Sequence, residues 1–146
     1  MPDIVHMEPL VVRKMNELVA RRKAAGRPIL VTQGFRTDAE QDYDYAQGRT
    51  RPGRIITNAK GGQSFHCYGV AFDICFLKNG RAWYPQTTFK FLPEYKATWG
   101  ALIADAAFLG LEHGDRGYVD FPHFQMRLGY SLLDFQKAMV DFTRFK

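Results

Sequence analysis

The stretch Ser64-Phe-His-Cys-Tyr-Gly-Val-Ala-Phe-Asp-Ile-Cys-Phe-Leu-Lys-Asn-Gly80 decides how this chain folds. From Gly69 to Leu77 it is almost entirely apolar and rich in β-branched and aromatic side chains, which predicts a strand. Lys78-Asn79-Gly80 then supplies a tight turn into a short partner around Ala82–Tyr84, so the strand enters an antiparallel hairpin. Asp73 stands between Phe72 and Ile74, with Phe76 just beyond. A carboxylate among such neighbours must be paired, hydrogen-bonded or bound to a metal, because burying an isolated charge is very costly. An arginine at a strand edge would satisfy it as well as a metal would.

Outward from this strand, helical and extended segments alternate. Val11, Val12, Met15, Leu18 and Val19 form an apolar stripe that predicts a helix from Pro9 to about Lys23. A Glu17–Arg21 pair supports that helix, and Gly26 with Pro28 ends it. Pro28-Ile-Leu-Val-Thr32 reads as a second strand. Thr37-Asp-Ala-Glu40 is a capping box, predicting a helix to about Gln47. Gly48 to Gly62 contains four glycines and Pro52, the mark of a long irregular loop, and loops of this length within a domain are usually functional or disordered. Further on, Tyr95, Trp99, Leu102 and Ala106 predict a helix from about Pro93 to Phe108. His123–Arg127 is a short strand candidate, and Ser131 with Asp134 opens a last helix carrying Leu132, Phe135, Met139 and Phe142 on one face. The expected fold is α+β: one domain over residues 1–146, with a small central antiparallel sheet flanked by helices.

Composition agrees with a globular domain. The chain has 146 residues, 46% of them hydrophobic and 24% charged. No apolar run reaches the roughly 18 to 20 residues that span a bilayer. Asp3, His6 and Glu8 precede any apolar stretch, unlike the order in a signal peptide, and the two cysteines are too few for a disulfide framework. Both features lead us to expect folding in a reducing cytoplasm. The net charge is +5, concentrated at residues 13–27 and 49–60, where basic side chains far outnumber acids. Such segments attract polyanions, whether nucleic acid, anionic lipid or bacterial wall polymer, although a solvated helix face and a solvated loop would have the same composition.

Among the four histidines, His66 and His123 stand out. His66 lies seven residues before Asp73, and His123 lies three after Asp120 across the stiff Pro122. Two histidines and one carboxylate form the three-ligand set of a catalytic zinc, which leaves a fourth position for water. A second carboxylate that is not a ligand can take the proton from that water. His66, Asp73 and His123 are therefore the candidate ligands and Asp120 the candidate base. A histidine between Pro122 and Phe124 is also compatible with plain core packing.

Ser64-x-His66 with Gly69, Ala71 and Asp73 resembles the S-x-H-x-x-G-x-A-x-D signature of the D-Ala-D-Ala carboxypeptidase-like zinc peptidases. Asp120-x-Pro-His123-Phe-Gln is similar to their second motif. Gly34-Phe-Arg36-Thr, Glu40-Gln41, Tyr45-Ala-Gln-Gly-Arg-Thr-x-Pro-Gly53 and Ala59-x-Gly-Gly62 resemble the branch of L-alanyl-D-glutamate endopeptidases, which includes bacteriophage endolysins. The resemblance runs in order from Gly34 to Gln125. It implies a fold of the Hedgehog/D-Ala-D-Ala peptidase type holding one zinc ion through His66, Asp73 and His123. It implies Asp120 as general base and acid, Arg36 as the cation that holds the scissile carbonyl and stabilises its oxyanion, and Ser64 and Gln41 as substrate-binding residues. A salt bridge from Arg36 to an acid such as Asp42, and a turn role for Ser64, are the plainer alternatives.

Cys67 stands where this branch usually has a polar residue, and Cys75 projects from the same strand face as Asp73, so a bridge between them is conceivable. His113 replaces an aromatic residue and is expected to be exposed on a glycine-rich loop, and His6 is expected to be solvated. The resemblance implies hydrolysis of the L-Ala–D-Glu bond of peptidoglycan stem peptides by a monomer, with no nucleic-acid partner. The lack of a signal-peptide pattern favours a phage or prophage endolysin that reaches the wall by a holin-type route, with a bacterial recycling or remodelling enzyme second, and no separate wall-binding domain is expected. The two basic segments would then serve as contacts to anionic wall or membrane. A D,D-carboxypeptidase or dipeptidase on the same scaffold, and a non-catalytic zinc-stabilised module gripping cell wall or nucleic acid, are the alternatives.

Overall fold

Apolar side chains on both of its faces drive Ala71–Lys78 into the interior of the sheet, with only Asp73 and the last two residues not fully buried. A computed structural model describes residues 1–83, 93–114 and 121–138. In chain order the elements are α1 (Pro9–Ala24), β1 (Ile29–Gln33), α2 (Asp38–Ala46), a single 3₁₀ turn (Phe65–Tyr68), β2 (Ala71–Lys78), β3 (Arg81–Trp83), α3 (Pro93–Phe108), β4 (Glu112–His113), β5 (His123–Gln125) and α4 (Leu132–Ala138). Every strand pair is antiparallel; the main order is β1-β2-β5-β4, and β3 pairs with β2. The α+β architecture is the one the sequence predicts. Tyr84, Met139 and Phe142 lie outside the described residues.

Local sequence accounts for the element ends. Thr37 and Glu40 form the capping box in full. Asn79 and Gly80 both take positive φ, 52° and 72°, as a two-residue hairpin turn with native twist requires. Two expectations need correcting. Gly69 does not begin the strand; at φ 71° it closes the 3₁₀ turn that carries His66, and β2 starts at Ala71. Arg21 does not pair with Glu17, which bonds Lys14 instead. Arg21 and Arg22 both reach across to Asp105 on α3, at 3.2 and 2.9 Å.

The sheet separates packing from chemistry. Phe72, Ile74 and Phe76 alternate onto one face, where Phe72 stacks on Phe124 with ring centroids 5.8 Å apart and Phe76 meets Trp99 edge-on at 5.4 Å. Val11, Met15 and Leu18 of α1 and Leu102 and Ala106 of α3 complete this core, each such apolar side chain of Val size or larger contributing roughly 1.5–3 kcal/mol by burial. Ala71, Asp73 and Cys75 point the other way. The register opposes Asp73 to His123 on β5 and to Gln33 on β1, so strand pairing alone sets the carboxylate beside one histidine.

Candidate metal centre

The second histidine arrives through a register shift. Between Val31 and Gln33 the β1–β2 ladder slips by one residue, a bulge that redirects the chain leaving β1. That chain runs beside the 3₁₀ turn: the Gly34 carbonyl accepts a hydrogen bond from His66 Nδ1 at 2.7 Å, and the Arg36 amide donates to the His66 carbonyl at 3.1 Å. Gly34 must be glycine, because a Cβ there would collide with the Asp3 carbonyl of the N-terminal segment packed against it. Ser64 caps the turn, its hydroxyl accepting from the His66 amide at 3.3 Å.

His66, Asp73 and His123 converge, their ligand atoms all within 4.8 Å of one another. Asp73 Oδ1 lies 3.2 Å from His66 Nε2 and 3.3 Å from His123 Nδ1. Tetrahedral zinc, with bonds of about 2.0–2.1 Å, sets neighbouring ligand atoms about 3.3–3.4 Å apart, so these two edges have the right length. The proton arrangement makes the same point. A carbonyl can only accept, so His66 Nδ1 carries a proton and Nε2 faces inward, where the neutral form of the ring presents a lone pair. His123 Nε2 bonds Gln125 Oε1 at 2.9 Å, which likewise leaves the His123 Nδ1 lone pair facing Asp73. Three lone pairs and a carboxylate charge thus meet at one point, an arrangement that calls for a cation. Burial opposes the Asp73 charge, but positive charge on the two rings and hydrogen bonds from them, in the place a metal cation would take, outweigh it and hold the carboxyl far below its ordinary range. Both histidines are buried, and these residues fit a zinc ion.

Arg36 occupies the flank of this centre with its side chain 15% exposed. Its Nη1 donates to Gln41 Oε1 at 2.6 Å, and its Nε lies 3.6 Å from Asp44. The alternative partner Asp42 is engaged elsewhere, accepting from the Gly61 amide. Beside Arg36 opens a cavity of about 430 Å³ lined by Gln33, Arg36, Ala39, Glu40, Tyr43 and Asp44. Gln41 has no exposed surface, so it braces Arg36 rather than facing the cavity. Asp120 lies outside the described residues.

The remaining candidates resolve as structural parts. Cys67 and Cys75 are free, buried thiols with no bridge between them, and burial, reinforced by Asp38, pushes the Cys67 thiol up to about 11. His113 is not exposed: it sits on β4 against Trp99, Phe121 and Phe124, and its Nε2 bonds the Phe121 carbonyl. His6 is exposed but tethered to Asp3. In the basic segment 13–27, Arg21 and Arg22 share Asp105 and Lys14 pairs with Glu17, while Arg13, Lys23 and Arg27 have no carboxylate partner among the described residues. In segment 49–60, Arg49 and Arg51 stack on Tyr45 and Tyr43 and bond carbonyl or amide oxygens, so their charge stays uncompensated by any carboxylate among the described residues.

Sequence reasoning had assigned no role to Gln125 or to the Gly34 carbonyl. Gln125 was within reach, since strand alternation puts it on the same face as His123 two residues earlier. The Gly34 contact leaves no trace in side-chain chemistry.

Residues 5–104 match the family described as VanY, D-alanyl-D-alanine carboxypeptidase. The chain is 34% identical over 128 residues to the peptidoglycan L-alanyl-D-glutamate endopeptidase CwlK of Bacillus subtilis (strain 168), covering 86% of this chain and 77% of that protein. Its fold is similar to the LD-carboxypeptidase LdcB (TM-score 0.59, 21% identity, covering 95% of this chain and 75% of LdcB). It is also similar to a vancomycin-resistance D,D-pentapeptidase VanY solved in complex with Zn(II) (TM-score 0.57, 14% identity, 95% of this chain and 83% of that one).

Proposed function

From the premise that this chain belongs to the VanY D-alanyl-D-alanine carboxypeptidase family, we propose that it is a zinc-dependent peptidoglycan endopeptidase that cleaves the L-Ala–D-Glu bond of stem peptides. The observation that carries the metal reading is the convergence of His66 Nε2, His123 Nδ1 and Asp73 Oδ1, with both outer ring nitrogens already bonded to neutral oxygens. The choice of bond rests on the 34% identity to CwlK.

When bound, zinc supplies a Lewis acid and a water activated near neutral pH. The chain's own residues do the rest. Gly34 and Gln125 hold the His66 and His123 rings so that Nε2 of one and Nδ1 of the other face Asp73. Arg36, fixed at Nη1 by Gln41 and paired at Nε with Asp44, offers its guanidinium to the carbonyl oxygen as negative charge develops on it. Asp120, assigned by its motif position, takes the proton from water and returns it to the leaving amine. Arg49 holds the Thr57–Asn58 segment of the loop that Gln41 ties to Arg36, which supports a role for this loop in meeting the carboxylates of a stem peptide.

We place this activity in phage- or prophage-driven host lysis, the setting of the endolysins that Tyr45–Gly53 resembles. The test is digestion of purified peptidoglycan with and without chelator, followed by mass analysis of the fragments. New L-Ala carboxyl and D-Glu amino ends, lost with chelator and restored by zinc, are expected. Release of terminal D-Ala alone would instead establish a carboxypeptidase, the second reading, favoured by the family description. Intact peptidoglycan under zinc repletion would refute both.

A further inference from the structure

Gln41 occupies an unusual position for a polar side chain on a short surface helix. It has no exposed surface, yet each end of its amide is used. Oε1 accepts from Arg36 Nη1 at 2.6 Å, while Nε2 donates to the Ala59 carbonyl at 2.7 Å and reaches Thr57 Oγ1 at 3.4 Å. The loop end of this chain is itself pinned: Thr57 Oγ1 accepts from the Ala59 amide at 3.1 Å. Arg49 clasps the same segment from the other side, donating to the Thr57 carbonyl and to Asn58 Oδ1, both at 3.0 Å. One buried amide therefore joins three parts of the molecule: α2, the glycine-rich loop and the arginine beside the metal centre.

We propose that Gln41 is a positioning residue that makes the placement of Arg36 depend on the loop 48–62, without touching substrate itself. Three physical features lead there. A side chain with no accessible surface cannot contact a ligand in this conformation. A neutral acceptor fixes one edge of the guanidinium without cancelling its charge, whereas a carboxylate at the same distance would neutralise it. Asp44, the acid near Arg36, stands off at 3.6 Å. With Nη1 and Nε so occupied, Nη2 has no partner among the described residues and is left for an incoming oxygen. The loop cannot shift at Thr57 or Ala59 without releasing Gln41, and Gln41 cannot turn without releasing Arg36.

The kinetic consequence rests on the peptidase reading above; the structural one does not. The experiment is a double-mutant cycle of Gln41→Met and Arg36→Ala on zinc-loaded protein, with Thr57→Val as a milder variant should Gln41→Met fail to fold. In the wild-type background Gln41→Met lowers kcat at least 10-fold and shifts KM less than 3-fold, and Thr57→Val lowers kcat about 2- to 5-fold. In the Arg36→Ala background both substitutions leave kcat unchanged, because their route to the reaction is gone. The side-chain ¹⁵Nε–¹Hε resonance of Arg36, a readout independent of activity, shifts and broadens in Gln41→Met while zinc content stays the same. Multiplicative losses in the cycle, an effect confined to KM, or an unchanged Arg36 resonance would each overturn the assignment. If the wild type leaves peptidoglycan intact, the peptidase reading fails, and the resonance alone decides the Gln41–Arg36 link.

Discussion

In the metal pocket, His66 and His123 each give their outer ring nitrogen to a neutral oxygen, Gly34 O or Gln125 Oε1, and turn the other toward Asp73. Across the His66 backbone, Arg36 gives one guanidinium nitrogen to another neutral oxygen, that of Gln41. The supports differ. The pocket is fixed by strand register and by a main-chain carbonyl, so its geometry follows from the sheet. Arg36 is fixed by a side chain that also holds a loop without regular structure. Backbone pairing with one side-chain contact, from Gln125, builds the metal side, whereas side chains hold the Arg36 guanidinium.

The sharpest way to break the comparison is to remove one function from each side. His123→Ala should abolish zinc retention and lower activity by about 10³-fold or more, since the Lewis acid is lost. Asp120→Asn should lower turnover comparably while zinc content, read by atomic absorption, stays at the wild-type level. A variant at position 120 with wild-type turnover would end its assignment as base. Arg36→Ala should keep the metal and lose about 10²- to 10³-fold in kcat, the usual cost of one oxyanion-stabilising donor. Loss of zinc in that variant would mean that the two sides are not separable.

The next test weakens the pocket without removing a ligand. Gln125→Leu leaves His123 Nε2 without its acceptor on a buried strand. Zinc affinity should fall by about 10- to 100-fold, as for other residues that orient a ligating histidine. Turnover at saturating zinc should recover to within a few fold of wild type. Failure to recover would show that Gln125 does more than orient the ring.

The same division explains what could be read in advance. The strand Ala71–Lys78, its hairpin and the capping box at Thr37 were legible because local patterning and turn chemistry agree with the final fold. Asp73 was legible because a carboxylate in an apolar strand needs an explanation. The 3₁₀ turn at Phe65–Tyr68 was not, since Gly69 serves a short helix end as readily as a strand start. His113 was misjudged because its two-residue strand is too short to carry a pattern, and only tertiary packing brings Trp99, Phe121 and Phe124 around it. The first basic segment holds a contact that its composition does not announce: Asp105, more than eighty residues away, pairs with both Arg21 and Arg22.

That last contact supplies the smallest expected effect on the site and a control for the comparison. The Arg22 side chain is only 4% exposed, and its Nε has no hydrogen-bond partner, so Asp105 is what compensates the buried cation. Asp105→Asn should cost about 2 kcal/mol of stability, the penalty of leaving that guanidinium unpaired in a partly solvated setting. Zinc content and turnover at 25 °C should be unchanged, because α1 and α3 pack on the face of the sheet opposite the metal. The pH dependence has a definite sign. Hydrogen bonding to Arg22, reinforced by Arg21, holds the Asp105 carboxyl below its ordinary 3.8. A depressed carboxyl contributes fully above its unfolded value and loses its contribution as pH falls through the folded one. The stability gap between wild type and Asp105→Asn should therefore be constant above about pH 5 and narrow below about pH 4, as read by urea unfolding at successive pH values. A gap that stayed constant into acid would show that Asp105 acts through shape and not through its charge on Arg22.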